Sequence, residues 1–98
     1  MNRFSDLCTI SVLCFEENID FLGHDLGSVP SVATAEDCQV ICQQNAECRY
    51  WTYGHSGENY PYSGHCFLKY TKANVGTLVA VTSGAKNCSG KKYLHQFF

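Results

Sequence analysis

Seven cysteines, Cys8, Cys14, Cys38, Cys42, Cys48, Cys66 and Cys88, constrain this 98-residue chain more than any other feature. Their spacing decides between metal ligands, a redox site and crosslinks. Zinc ribbons and fingers use close C-x2-C pairs, often with a histidine pair. Here Cys38, Cys42 and Cys48 form C-x3-C-x5-C, and the others stand alone. His24, His55, His65 and His95 make no H-x3–5-H pair, and no C-x-x-C redox motif occurs. The pattern predicts disulfides, no metal and no cofactor. Disulfides imply an oxidising, extracellular or secretory compartment. They also suit a chain of this size, which forms one domain with a core too small to be secure without staples.

The stretch TAEDCQVICQQNAEC carries three of the cysteines. Thr34 is placed to cap a helix and Asp37 to complete a capping box, with Glu36 and Asp37 at the positive end of the dipole. Cys38, Ile41 and Cys42 then fall on one helical face. The expected helix runs from about Ala35 to Gln44 and stops at Asn45 through a left-handed cap. Cys38 and Cys42 diverge on adjacent turns, so each needs a partner elsewhere. The remaining segments read as short strands. They are Cys48–Tyr53, Cys66–Lys69, and Leu78–Thr82 broken by Ser83-Gly84, with one or two more near Cys14-Phe15 and Phe21-Leu22. Alternation puts Arg49, Trp51 and Tyr53 on one side, and Trp51 reads as core. Between the first two strands lies a turn-rich loop, 54–64, with Tyr60 and Tyr62. One helix with several antiparallel strands is an α+β architecture.

A net charge of −2 and a charged fraction of 16% point to neither nucleic acid nor anionic membrane as partner. No apolar run reaches the roughly 18 residues of a membrane span. Asp6 interrupts the only apolar stretch near the start, so residues 1–13 read as a flank of an excised fragment and not as a secretory leader. KKYLHQFF, after the last cysteine, reads as a linker or the start of a neighbouring module.

Cys14, then Phe21-Leu22-Gly23-His24-Asp25-Leu26, then Ala35-Glu36-Asp37-Cys38-Gln39-x-x-Cys42, Cys48-x-x-Trp51-x-Tyr53, Cys66-x-Leu68-Lys69, Val81-Thr82-Ser83-Gly84 and Cys88 occur in an order that resembles the PAN/apple domain. The likeness spans residues 14–88, with residues 1–13 and 89–98 as flanks. It is nearest to the apple repeats of Eimeria-type microneme adhesive proteins. The resemblance implies a curved antiparallel sheet cradling a single helix. It also implies the nested bridges Cys14–Cys88, Cys38–Cys66 and Cys42–Cys48. Spacing alone leaves on the order of a hundred pairings open. Cys8 lies outside the six-cysteine pattern and is expected unpaired or bridged to a neighbour.

Nothing in the chain assembles a catalytic group. His24-Asp25 are sequence neighbours, Glu16 and Glu17 point to opposite faces of a strand, and no G-x-S-x-G surrounds Ser83. Apple modules also accompany serine protease zymogens, but a protease domain is absent here. The expected role is therefore an adhesive binding module, one repeat among neighbouring apple modules, with a protein or a host-cell glycan as partner. Candidate ligand-binding residues are His55, Tyr60, Tyr62, His65 and Lys69: rings to stack on a sugar and donors to orient it. The competing expectation is that Tyr60 and Tyr62 pack their loop onto the sheet. All nine carboxylates lie by Glu58, and Lys69, Lys72, Lys86, Lys91 and Lys92 follow. The resemblance implies a galactose-type glycan; clustered in space, these lysines would suit a sulfated one as well. Asn87-Cys88-Ser89 fits a glycosylation sequon, but Cys88 is expected in a bridge.

Overall fold

The computed structural model describes residues 14–55 and 62–88. Five antiparallel strands form one sheet: β1 Phe15–Leu22, β2 Asp25–Val29, β3 Tyr50–Gly54, β4 Cys66–Lys69 and β5 Asn74–Ala85, in the order β1-β5-β3-β4-β2. One helix, α1 Ala35–Gln43, packs on the sheet chiefly against β3. The architecture is α+β, as expected.

The helix starts where the sequence indicates. Thr34 has extended backbone, and its hydroxyl accepts a hydrogen bond from Asp37 N at 3.0 Å. The end differs. Gln44 closes the helix in ordinary right-handed geometry, and Asn45 is not left-handed. Asn45 Oδ1 instead accepts from Glu47 N and Cys48 N, making the turn that carries the chain to β3. Cys38 and Cys42 face the sheet and are fully buried.

The main core lies between α1 and one face of the sheet. Trp51 and Tyr53 occupy its centre, with Phe15, Ala35, Leu68 and Val32 around them. Phe15 meets Trp51 edge to face, with centroids 4.9 Å apart. Trp51 Nε1 donates to Ala85 O, and Tyr53 OH to Val32 O, so neither polar tip is stranded. Three disulfides staple this layer: Cys14–Cys88, Cys38–Cys66 and Cys42–Cys48. The second joins helix to β4; the first joins the beginning of β1 to the segment after β5. Each stabilises by roughly 2–4 kcal/mol in the loop-entropy picture. Cys8 lies outside the described residues.

Strand limits depart from expectation at three places. β3 begins at Tyr50, not Cys48, because the Asn45 turn holds Cys48. β5 starts at Asn74, not Leu78, and runs through Ser83-Gly84 without a break. Gly84 belongs inside the strand because a Cβ there would stand 2.6 Å from Trp51 Cζ2 and 2.7 Å from Cys14 O. β2 was not anticipated as a separate strand.

The connection from β1 to β2 shapes the whole sheet. The two strands occupy opposite edges, yet only Gly23 and His24 join them. Four strand spacings of about 4.8 Å would separate the edges of a flat sheet by roughly 19 Å. Three chain steps reach only about 11 Å. The sheet therefore rolls, bringing β1 back over β3, so that two residues span from one edge strand to the other. Both are left-handed, with φ of 70° at Gly23 and 59° at His24.

Rolling is achieved at a bulge. Register runs from Glu17↔Thr82 to Ile19↔Thr77, so Asn18 alone faces residues 78–81. Asn18 and Ala80 both have left-handed φ, and Ala80 N donates to Asn18 Oδ1 at 2.9 Å. Beyond the bulge, β1 turns its outer edge onto the sheet face opposite the helix. Two buried hydroxyls receive it. Phe21 N donates to Thr52 Oγ1, Thr52 Oγ1 lies 2.7 Å from Ser83 Oγ, and Ser83 Oγ donates to Ile19 O at 2.6 Å. Since Ser83 spends its proton on Ile19, Thr52 donates to Ser83, and the relay satisfies every group in it.

Candidate functional site

The rolled-over ribbon leaves a groove of about 150 Å³ beside it, on the helix-free face. Asp20, Leu22 and Gly23 form one wall, Leu78 and Val81 the bulge end, and Thr52, Phe67 and Lys69 the floor; Asp25 and Tyr62 complete it. Alternation along β3 and β4 explains the floor. Trp51, Tyr53, Cys66 and Leu68 turn to the helix, so Thr52, Phe67 and Lys69 turn away.

Tyr62 is set by Gly54. Gly64 N donates to Gly54 O and Gly54 N to His65 O, which draws the loop's return strand against the end of β3. A side chain at Gly54 would run into the Tyr62 carbonyl. Held there, the Tyr62 ring packs edge-on against Phe67 at 5.4 Å and keeps 40% of its surface exposed. The ring packs onto the sheet and lines the groove. Tyr60 lies outside the described residues.

Lys69 is buried, with only 4% of its side chain exposed. Its ammonium donates to Gly23 O at 3.1 Å and is paired with Asp25 Oδ1. It ties β4 to the β1–β2 corner and forms part of the wall. Asp25 remains 48% exposed. The Asp20 side chain makes no hydrogen bond or ion pair among the described residues, while its backbone pairs with Gly76 of β5. The two carboxylates give the groove a net negative lining despite Lys69.

The histidines do not join the lining. His65 stacks on Phe67 and its Nδ1 lies 3.0 Å from Ser63 O. His55 continues the Tyr53 side of β3, on the helix face. Its Nε2 lies 2.6 Å from Thr82 Oγ1, which donates to Glu17 Oε1. Thr82 stands between imidazole and carboxylate, whereas a nucleophilic triad needs the imidazole in the middle.

The described lysines take separate partners: Lys69 with Asp25, Lys72 with Glu16 and over the Phe21 ring, Lys86 with Asn45 O. The linear charge asymmetry is largely neutralised by this pairing; Lys91 and Lys92 lie outside the described residues. Among the described residues, no three His, Cys, Asp or Glu side chains gather as a metal site. No helix there is long and apolar enough to cross a membrane.

Asp20, Asp25, Phe67, Leu22, Leu78 and Val81 escaped sequence reasoning as groove residues. Alternation from Trp51 could have flagged Thr52, and alternation from Cys66 could have flagged Phe67. The others depend on the roll, which no local pattern encodes.

No curated protein is significantly similar to the chain. Among solved structures, the solution structure of a PAN module from Eimeria tenella is similar to it, with a TM-score of 0.54 and 23% identity. That match covers 89% of this chain and 94% of the other. A PAN domain family model matches residues 19–69, from the bulged half of β1 through the helix to Lys69 on the groove floor. On the strength of that match, the chain belongs to the PAN domain family.

Proposed function

We propose that this chain is an extracellular adhesive module that receives a protein or glycan ligand in the groove between the folded ribbon and β4. The groove carries the reading: it combines an exposed tyrosine, apolar walls and two carboxylates with open acceptors, on the sheet face that the helix leaves uncovered. PAN modules are generally non-catalytic domains that mediate protein or carbohydrate binding. Three disulfides fit an oxidising compartment and a secreted protein. In this reading residues 14–88 are the folded unit, and the flanks lead to neighbouring modules of a microneme protein used in host-cell attachment. Cys8 is then available to bridge to a neighbour.

A second reading is a galactose- or sulfated-glycan lectin; the Tyr62 ring beside hydroxyl-accepting carboxylates supports its galactose form. Binding of a single copy is expected to be weak and of linked copies strong, because linkage raises effective concentration without new contacts. The chain displayed on streptavidin tetramers should bind host-cell surfaces. Tyr62→Ala should keep the fold and weaken single-copy binding by at least about threefold, the scale of one ring contact. A glycan array with the same tetramers separates lectin from protein binder. Tetramers that bind neither cells nor glycans would defeat the proposal.

A further inference from the structure

The ligand class can be narrowed, on the premise that the groove is the binding site. We infer that the groove accepts a basic side chain, lysine or arginine, presented by a protein partner. Three observations converge. First, charge: Asp20 and Asp25 line the groove against a single cation, Lys69. The Lys69 side chain is only 4% exposed, and its ammonium is already committed to Gly23 O and Asp25. An incoming sulfate meets open carboxylates before it can reach the ammonium, so an anionic ligand is repelled. Second, the rings: a sugar needs a free aromatic face. Phe67 has His65 stacked on it, Tyr62 against it edge-on, and Lys69 Nζ 5.9 Å from its centroid. The floor therefore offers little open platform for a hexose. Third, shape: Leu22, Leu78 and Val81 supply apolar walls, Asp20 a carboxylate without a partner among the described residues, and the volume suits one long side chain. An aliphatic stem ending in a cation matches that sequence of surfaces, burying its methylenes while its head stays at the wet carboxylates.

The test uses the whole 98-residue chain, isotopically labelled, with its disulfides intact. Nα-acetyl-lysine methylamide and the arginine analogue serve as probes. The norleucine analogue, which keeps the stem and lacks the charge, is the control. Methyl galactoside and a sulfated disaccharide are the competing ligands. The lysine and arginine probes should shift the amide resonances of Asp20, Gly23, Phe67 and Lys69, and raised salt should weaken the effect. Norleucine should bind at least about threefold more weakly, the scale of one partly exposed ion pair. Asp20→Asn, at a carboxylate with no partner to lose among the described residues, should weaken the lysine probe by a similar factor. Equal binding of lysine and norleucine probes, or no response at the groove amides, would overturn the inference whether or not the variant folds. So would saturable binding of either sugar at those amides without binding of the basic probes. Tetramers that bind cells while the basic probes fail would leave the adhesive reading standing and remove only this one.

Discussion

At Ala80 the backbone has φ of 65°, a conformation that costs an alanine roughly 1 kcal/mol more than a glycine. Four residues on, Gly84 sits where a methyl group has no room, 2.6 Å from Trp51 Cζ2. The same pair of residue types should therefore act in opposite directions on one strand. Ala80→Gly should raise stability by about 0.5–1 kcal/mol, less whatever entropy the unfolded chain regains. Gly84→Ala should lower it by about 1–3 kcal/mol, because Trp51 cannot move without disturbing Phe15 and the helix. Denaturant titrations of the two variants beside the parent check both signs. A stabilising Gly84→Ala would mean that Trp51 is far less confined than the packing indicates. The bulge also matters to the groove: Leu78 and Val81 reach its end because three extra residues of β5 loop out opposite Asn18.

Among the elements, β1 is unusual in serving two structures, first as an ordinary partner of β5 and then as a lid edge docked on side chains. Thr52→Val keeps the shape and removes the relay, leaving Phe21 N without its acceptor and Ser83 without its donor. It should cost about 1–3 kcal/mol. Amide exchange at Phe21 should accelerate well beyond that at Trp51, whose strand pairs on both sides. Unchanged protection at Phe21 would show that the docked edge is held by something else. The elements differ in how far the chain's residues reveal them. The helix start was legible because Thr34 and Asp37 form a local device, and β4 because Cys66–Leu68 is a compact apolar run. The helix end was not, because Asn45 satisfies either a left-handed cap or a side-chain turn, and only the position of Cys48 decides. Ser83-Gly84 read as a break because glycine usually ends strands; its real role is close approach to Trp51, a tertiary fact. The groove was legible only through Tyr62 and Lys69. Asp20 joins them because β1 folds back over the sheet face, and strand order is invisible to local pattern.

For the molecule as a whole, the position of the outermost bridge matters most. Cys14 and Cys88 have Cα atoms 5.6 Å apart, although 74 residues separate them. Tension applied through the flanks enters and leaves at nearly the same point. With the bridge intact, pulling on handles attached outside residues 14 and 88 should release no length from the domain, since the load passes across one covalent link. After full reduction the same pull should release roughly 250 Å of chain. A Cys14→Ser, Cys88→Ser variant with its other bridges intact should fall short of that by roughly 95 Å, because Cys38–Cys66 keeps 28 residues of chain closed. An extension step in the oxidised parent would contradict this load path. A string of such modules would behave under flow as a chain of short rigid links. Drag on an attached cell would then be carried past the sheet, leaving the shape of the groove untouched by the force that the attachment has to bear.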